Sequence, residues 1–300
     1  MSDVMVSRKP WLALLASLLI PGLGQWYNGQ WRKALFVYFF QCVVIFLLFR
    51  PLGIIRHPVM AYGFMLLETG LYVYQLLDAF LVASRRKTYR LKPVNKPVGY
   101  AGVLLLTVLL VGLNRYLISE LPVGAHTMHY GGPPLNMLAN GDTFVVDRSV
   151  RPEELQRGDL ILCGADSFNR NVWLGRVMGL PGDTIQVINN ELIINSVKNQ
   201  YKHIEKQLRT DLEGNEFEVD FCMETLPEGR KLGIYRYAEM DSSFNQAAQV
   251  VPKGAIFLVS DDRTVYMDSR MTGPFSDAYV KGKALYILIS ERPQMMGLPL

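Results

Sequence analysis

The 300-residue chain is half hydrophobic and carries a formal charge of +4. That average joins two unlike parts: residues 1–120 hold 13 Lys and Arg against four acidic residues (Asp3, Glu68, Asp78, Glu120), and residues 121–300 hold 18 against 23. Basic charge flanking apolar runs indicates membrane topology rather than nucleic-acid binding, so the bilayer is an expected partner and nucleic acid is not.

In chain order, Trp11–Trp26 is apolar but broken by Pro21 and the nearby glycines. It reads as a tilted helix or a re-entrant hairpin buried against its neighbours, because irregular backbone at membrane depth must be covered by protein. Pro21-Gly22-Leu23-Gly24-Gln25 is not a typical small-residue cleavage site, so no cleavable signal peptide is expected. Ala34–Phe49, Met60–Ser84 and Val98–Ile118 each approach or exceed the roughly 20 residues a spanning helix needs. Arg85–Lys96 holds six basic residues and no acidic one, which places it in the cytoplasm by the positive-inside rule and sends the chain beyond residue 120 outside. Glu68 and Asp78 are expected to make interhelical bonds, Glu68 with Gln41 and Asp78 with the basic stretch at Arg85. An ion-coupled transport site is the sharper alternative.

After Leu121 the pattern changes to short strand-like runs between turn signals: Thr143–Asp147, Asp159–Cys163, Val172–Met178, Thr184–Ile188, Glu191–Ile194, Phe217–Cys222, Ala255–Val259 and Ala284–Ser290. Gly-Asp pairs stand before strands at Gly141-Asp142, Gly158-Asp159 and Gly182-Asp183, where Gly supplies positive φ and Asp caps the turn. The domains expected are a multi-span module (1–84), a basic cytoplasmic loop (85–97), a last anchor (98–118), a β domain (121–290) with 201–250 inserted, and a tail (291–300). Cys42 is expected to be a small buried side chain; Cys163 and Cys222 could pair in an oxidising compartment. No cofactor and no metal is expected, since no metal-type Cys/His spacing occurs.

Arg176-Val177-Met178-Gly179-Leu180-Pro181-Gly182-Asp183-Thr184-Ile185 resembles the type I signal peptidase motif Lys-Arg-x-x-Gly-x-Pro-Gly-Asp-x-Ile. Ser260-Asp261-Asp262-Arg263-Thr264-Val265-Tyr266-Met267-Asp268-Ser269-Arg270 resembles that family's Gly-Asp-Asn-Arg-x-x-Ser-x-Asp-Ser-Arg, and Gly141-Asp142 with Val145-Val146 fits a third box. The apolar runs predict a membrane α-helical N-terminal part of three or four spans, and the resemblance implies that the mainly-β domain after it is extracytoplasmic. It implies a multi-pass protein of the bacterial inner membrane, with exported preproteins or signal peptides as partners and an envelope protein as another candidate.

In that family a Ser attacks the scissile carbonyl and a neutral Lys is its base, which requires a buried lysine. Here the lysine position is Gly175, the nucleophile position is Pro133, and the position of the serine that orients the base is Tyr266. The resemblance therefore implies a scaffold without its dyad, with Arg176, Gly179, Pro181, Gly182, Asp183, Asp261, Arg263, Asp268, Ser269 and Arg270 as turns and internal braces. The alternative is an active signal peptidase with displaced residues. A gapped alignment puts Thr127-Met128 at the nucleophile box, with Lys198, Lys202, Lys253 or a neighbouring histidine (His126, His129) as base. The two histidines are too few for a metal site by themselves.

Overall fold

The computed structural model describes residues 5–49, 54–86, 89–90, 95–119, 123–127, 138–139, 141–164, 172–210, 216–237, 245–264 and 268–300. They form two units, Met1–Pro122 and Val123–Leu300.

In the first unit a short strand β1 (Met5–Val6) precedes helices α1 (Pro10–Leu19), α2 (Leu23–Tyr27), α3 (Trp31–Phe49) and α4 (Pro58–Arg85). Strand β2 (Tyr89–Arg90) pairs with β1, and α5 (Pro97–Ser119) comes next. Among the described residues, α4 is long and apolar enough to cross a membrane. Val59, Leu66 and Leu67 on it are exposed, a surface that lipid rather than water satisfies. The sequence expectation of three or four spans goes further than this single helix.

The apolar run at residues 11–26 is two helices because Gly22 turns left-handed at φ +81°. The break frees the Gly22 amide, and α4 supplies a partner for it and for two buried side-chain amides. Gly22 N donates to Gln75 Oε1 at 2.9 Å, Gln25 Nε2 to the Gln75 carbonyl at 2.7 Å, and Asn28 Nδ2 to the Ala79 carbonyl at 2.8 Å. Gln25, Asn28 and Gln75 are fully buried.

Asp78 corrects one expectation. Among the described residues it accepts from Lys33 Nζ at 2.6 Å and from Gln25 Nε2 at 3.1 Å rather than from the basic stretch, because the hairpin lies against its face of α4. Among the described residues, Gln41 Oε1 and Glu68 Oε1 are each buried without a hydrogen-bond partner, so the expected Gln41–Glu68 bond is not made through either of these two oxygens. The side chain of Cys42 lies outside the described residues.

The second unit holds β3 (Val123–Thr127), β4 (Thr143–Asp147), β5 (Leu160–Gly164), β6 (Val172–Gly179), β7 (Thr184–Ile188), β8 (Glu191–Ile194), β9 (Val197–Lys198) and β10 (Gln200–Thr210). After these come β11 (Glu216–Thr225), β12 (Lys231–Tyr237), β13 (Gln246–Val250), β14 (Ala255–Val259), a helical turn α6 (Ser269–Thr272), β15 (Phe275–Ser276) and β16 (Val280–Ile289). Among the described residues they form three antiparallel sheets, ordered β15-β14-β6-β5-β16-β4-β3, β13-β7-β8-β9 and β10-β11-β12. Residues 200–210 and 216–237, more polar than their neighbours, thus form a meander of long strands.

One apolar cluster joins Met178, Ile185, Leu192, Ile234 and Phe257, which come from β6, β7, β8, β12 and β14. It is the common floor of all three sheets. Cys222 sits in this cluster and Cys163 in another, and both are free thiols, so the pairing that the sequence allows is not made. Burial pushes the Cys163 thiol up to about 12, which makes it inert at neutral pH.

Gly24 tests the hairpin packing. An added Cβ would fall 2.8 Å from Ala79 Cβ and closer still to Ser17 Oγ and the Ala13 carbonyl. Propensity alone would make Gly→Ala in a helix stabilising by about 1 kcal/mol. Gly24→Ala should instead lower the melting temperature of the detergent-purified protein, read by tryptophan fluorescence.

Candidate functional site

Strand β6 carries the first motif box. Gly175 faces Ile161 on β5, and Arg176 stands between Leu160 of β5 and Val259 of β14. Both residues are buried. The Arg176 guanidinium forks onto Asp261, with Nε–Oδ1 at 2.9 Å and Nη2–Oδ2 at 2.5 Å, while Nη1 donates to the Gly158 carbonyl at 2.8 Å. A fork of this kind fixes a side chain in place and direction.

The chain then turns through Leu180–Asp183. Pro181 fits the first corner of the turn, and Gly182 takes φ +91°. Asp183 caps the turn by accepting from Leu180 N at 2.7 Å and is held by Arg157 and Asn195. A Cβ on Gly179 would lie 2.9 Å from both Ile185 and Phe257, so only glycine lets β6 approach β14 here.

The second box is a knot of buried charge. Arg263, 1% exposed, pairs through Nη2 with Glu224, which is fully buried and also accepts from Asn199 Nδ2 and Tyr201 Oη at 2.8 Å each. Asp262 binds Arg209. Asp268 accepts from Ser260 N at 3.0 Å, from Arg270 N at 2.9 Å and from the Arg270 guanidinium at 2.7 Å. Ser269 Oγ accepts from Leu258 N at 2.9 Å, and Arg270 Nη1 donates to Asn190 Oδ1 at 2.6 Å and to the Arg263 carbonyl at 2.8 Å. Every charge named here has an opposite charge in contact, as burial demands. Sequence reasoning misses Glu224, Arg209, Asn190 and Arg157. The motif names its own half of each pair, and nothing in local spacing reveals the other half.

The third box is anchored by Asp142, which accepts from Ala139 N and from Arg292 Nη2, both at 2.7 Å. Pro133, His129 and Tyr266 lie outside the described residues. Thr127 ends β3 opposite Thr143, and the two hydroxyls hydrogen-bond at 2.9 Å. A hydroxyl is no base. His126 sets its ring edge against Phe144, centroids 5.5 Å apart. Lys198 pairs with Glu191 at 2.6 Å and its side chain is 61% exposed; Lys202 and Lys253 are exposed too. A lysine base needs a buried site that favours its neutral form, and these three have none.

Asp159 is a further brace, fully buried between Arg230 (2.9 Å) and Lys283 (2.8 Å). Burial pushes its carboxyl up. The hydrogen bonds from Lys283, Arg230 and the Gln156 amide outweigh that, and the net direction is down. For Asp183 burial likewise opposes Arg157, the Leu180 amide and Asn195, and the net direction is again down.

A family model described as "Signal peptidase, peptidase S26" matches residues 100–289, more than half of the chain. Signal peptidase I of Streptococcus pneumoniae is 28% identical over 200 residues, covering 62% of this chain and 90% of that protein. Signal peptidase I of Rickettsia typhi is 30% identical over 152 residues, covering 48% of this chain and 55% of that protein. A crystal structure of a signal peptidase I from Enterococcus faecalis aligns at 23% identity with a TM-score of 0.26, covering 43% of this chain and 95% of that one.

Two outcomes test the braces. Glu224→Gln leaves Arg263 without its countercharge, and loss of one partner of a buried pair costs about 3–5 kcal/mol. Denaturant unfolding of the full chain should shift by that order. The depressed carboxyls of Asp159 and Asp183 contribute stability that is complete above the ordinary aspartate value of about 3.9 and is lost as pH falls through their lower folded values. Melting temperature should therefore drop on acidification below about pH 4, and Asp159→Asn should make that drop shallower.

Proposed function

We propose a function from one premise: the chain belongs to the signal peptidase family. Its role is that of a membrane-anchored, non-catalytic signal peptidase I-like protein. It binds exported preproteins by their signal peptides, or regulates an envelope partner that handles them, without cutting them.

The observation that carries this reading is Gly175. The position before the motif arginine is where the family keeps its base, and here it has no side chain. Arg176 is fixed by its fork onto Asp261, so a one-residue slip of β6 cannot bring another group to that place. Arg176 itself stays protonated and takes no proton. Pro133 and Tyr266 agree with it at the other two positions. Peptide binding along a strand uses backbone groups and does not need the dyad. The charged braces then serve the fold.

In this reading α3, α4 and α5 cross the bacterial cytoplasmic membrane, with the hairpin α1–α2 tucked against α4. Residues 85–97 face the cytoplasm, and the β domain lies on the extracytoplasmic side. The active alternative needs a base for Thr127, whose hydroxyl is engaged by Thr143.

The deciding measurement is preprotein cleavage by the detergent-purified chain beside Gly175→Lys/Pro133→Ser and Thr127→Ala. The native chain should release no mature product while still binding a fluorescent signal peptide. Cleavage by the native chain that disappears in Thr127→Ala would establish the active alternative instead.

A further inference from the structure

The geometry points to a metal site on the β10–β11 hairpin, built from His203, Asp220 and Cys222 and suited to a zinc-like divalent cation. The ladder makes it. His203 on β10 stands directly opposite Cys222 on β11. Asp220 precedes Cys222 by two residues and so shares its face of the strand. The three ligand atoms all lie within 4.8 Å of one another. His203 Nδ1 and Asp220 Oδ1 are 3.5 Å apart. That is long for a hydrogen bond, but it matches the edge of about 3.3–3.7 Å expected when ligands sit about 2.0–2.3 Å from a tetrahedral ion.

A second observation is independent of the spacing. Asp220 Oδ1 is out of solvent and has no hydrogen-bond partner among the described residues. A buried carboxylate oxygen is rarely left so, and a cation would satisfy it. The chemistry of the set is also selective. A thiolate and an imidazole favour zinc over the hard cations magnesium and calcium. One carboxylate and one thiolate neutralise a divalent ion. His203 is half-exposed, which leaves an access path and a fourth position for water. Arg236, across from Asp220 on β12, is the nearby cation to account for; it is drawn to Glu191 at 3.3 Å and lies over the Tyr201 ring.

On binding, the metal–sulfur bond replaces the Cys222 S–H bond, and the proton leaves to solvent; no electron is transferred. The ion would clip β10 to β11. The competing reading is that Cys222 is only a small apolar side chain in its cluster.

The test uses the full chain in detergent, stripped of metal and titrated with Co2+, then competed with Zn2+. The expected result is one ion per chain with a thiolate-to-cobalt charge-transfer band in the near-ultraviolet. The band should persist in Cys163→Ser and vanish in Cys222→Ser. Loss of a group that only orients a metal's ligands already costs roughly 10–100-fold in affinity, so exposed His203→Ala, which leaves the core intact, should weaken binding at least that much. Binding without the band, a band that survives Cys222→Ser, or His203→Ala binding as tightly as the native chain would overturn the site.

Discussion

Charge in the second unit is held where water cannot reach it, and the arrangement of its sheets depends on that constraint. Arg263 and Glu224 are each within 1% of full burial, and each offsets part of the other's desolvation cost. Glu224 belongs to β11 and Arg263 to the loop after β14, so the pair fastens the three-stranded meander to the body of the domain. Arg209–Asp262 repeats the connection from β10. The backbone adds to it, with Arg263 N donating to the Tyr235 carbonyl at 2.7 Å and Tyr235 N to the Asp261 carbonyl at 3.0 Å. Buried pairs of this kind are weak contributors to net stability compared with apolar packing, but wrong pairings leave naked charge. They therefore discriminate between arrangements more than they strengthen one.

This division of labour separates the motif from catalysis. Arg176, Asp261, Asp268, Ser269 and Arg270 are all saturated by partners inside the domain. Their contacts are made without any lysine at position 175. The charged boxes of the family thus hold together with a glycine at position 175, and the Thr127 hydroxyl faces Thr143.

Legibility in the sequence depends on the range of the interaction. Local chemistry is readable: Gly182-Asp183 marks its turn, and Thr143–Asp147, Thr184–Ile188, Glu191–Ile194 and Ala255–Val259 are strands over those same residues because alternation or continuous burial marks them. β10 is not readable, since Gln200–Thr210 is polar on nearly every position and buries little beyond Arg209. Partners distant in sequence are invisible too. Arg263 lies 39 residues from Glu224, and Asp78 lies 45 from Lys33. The basic stretch beside Asp78 is the expected partner only because sequence shows nearness along the chain. The His203–Cys222 juxtaposition likewise exists only through strand register.

The broken hairpin at the start of the chain bears on how the protein is made. The donors on Gly22, Gln25 and Asn28 find their acceptors at Gln75 and Ala79, between 50 and 53 residues downstream. At about 5–20 residues per second of synthesis, α1 and α2 leave the ribosome several seconds before those acceptors are made. One of these donors is the Gly22 amide and two are side-chain amides, so until α4 is made they need other partners, and the packing of the hairpin follows the synthesis of α4.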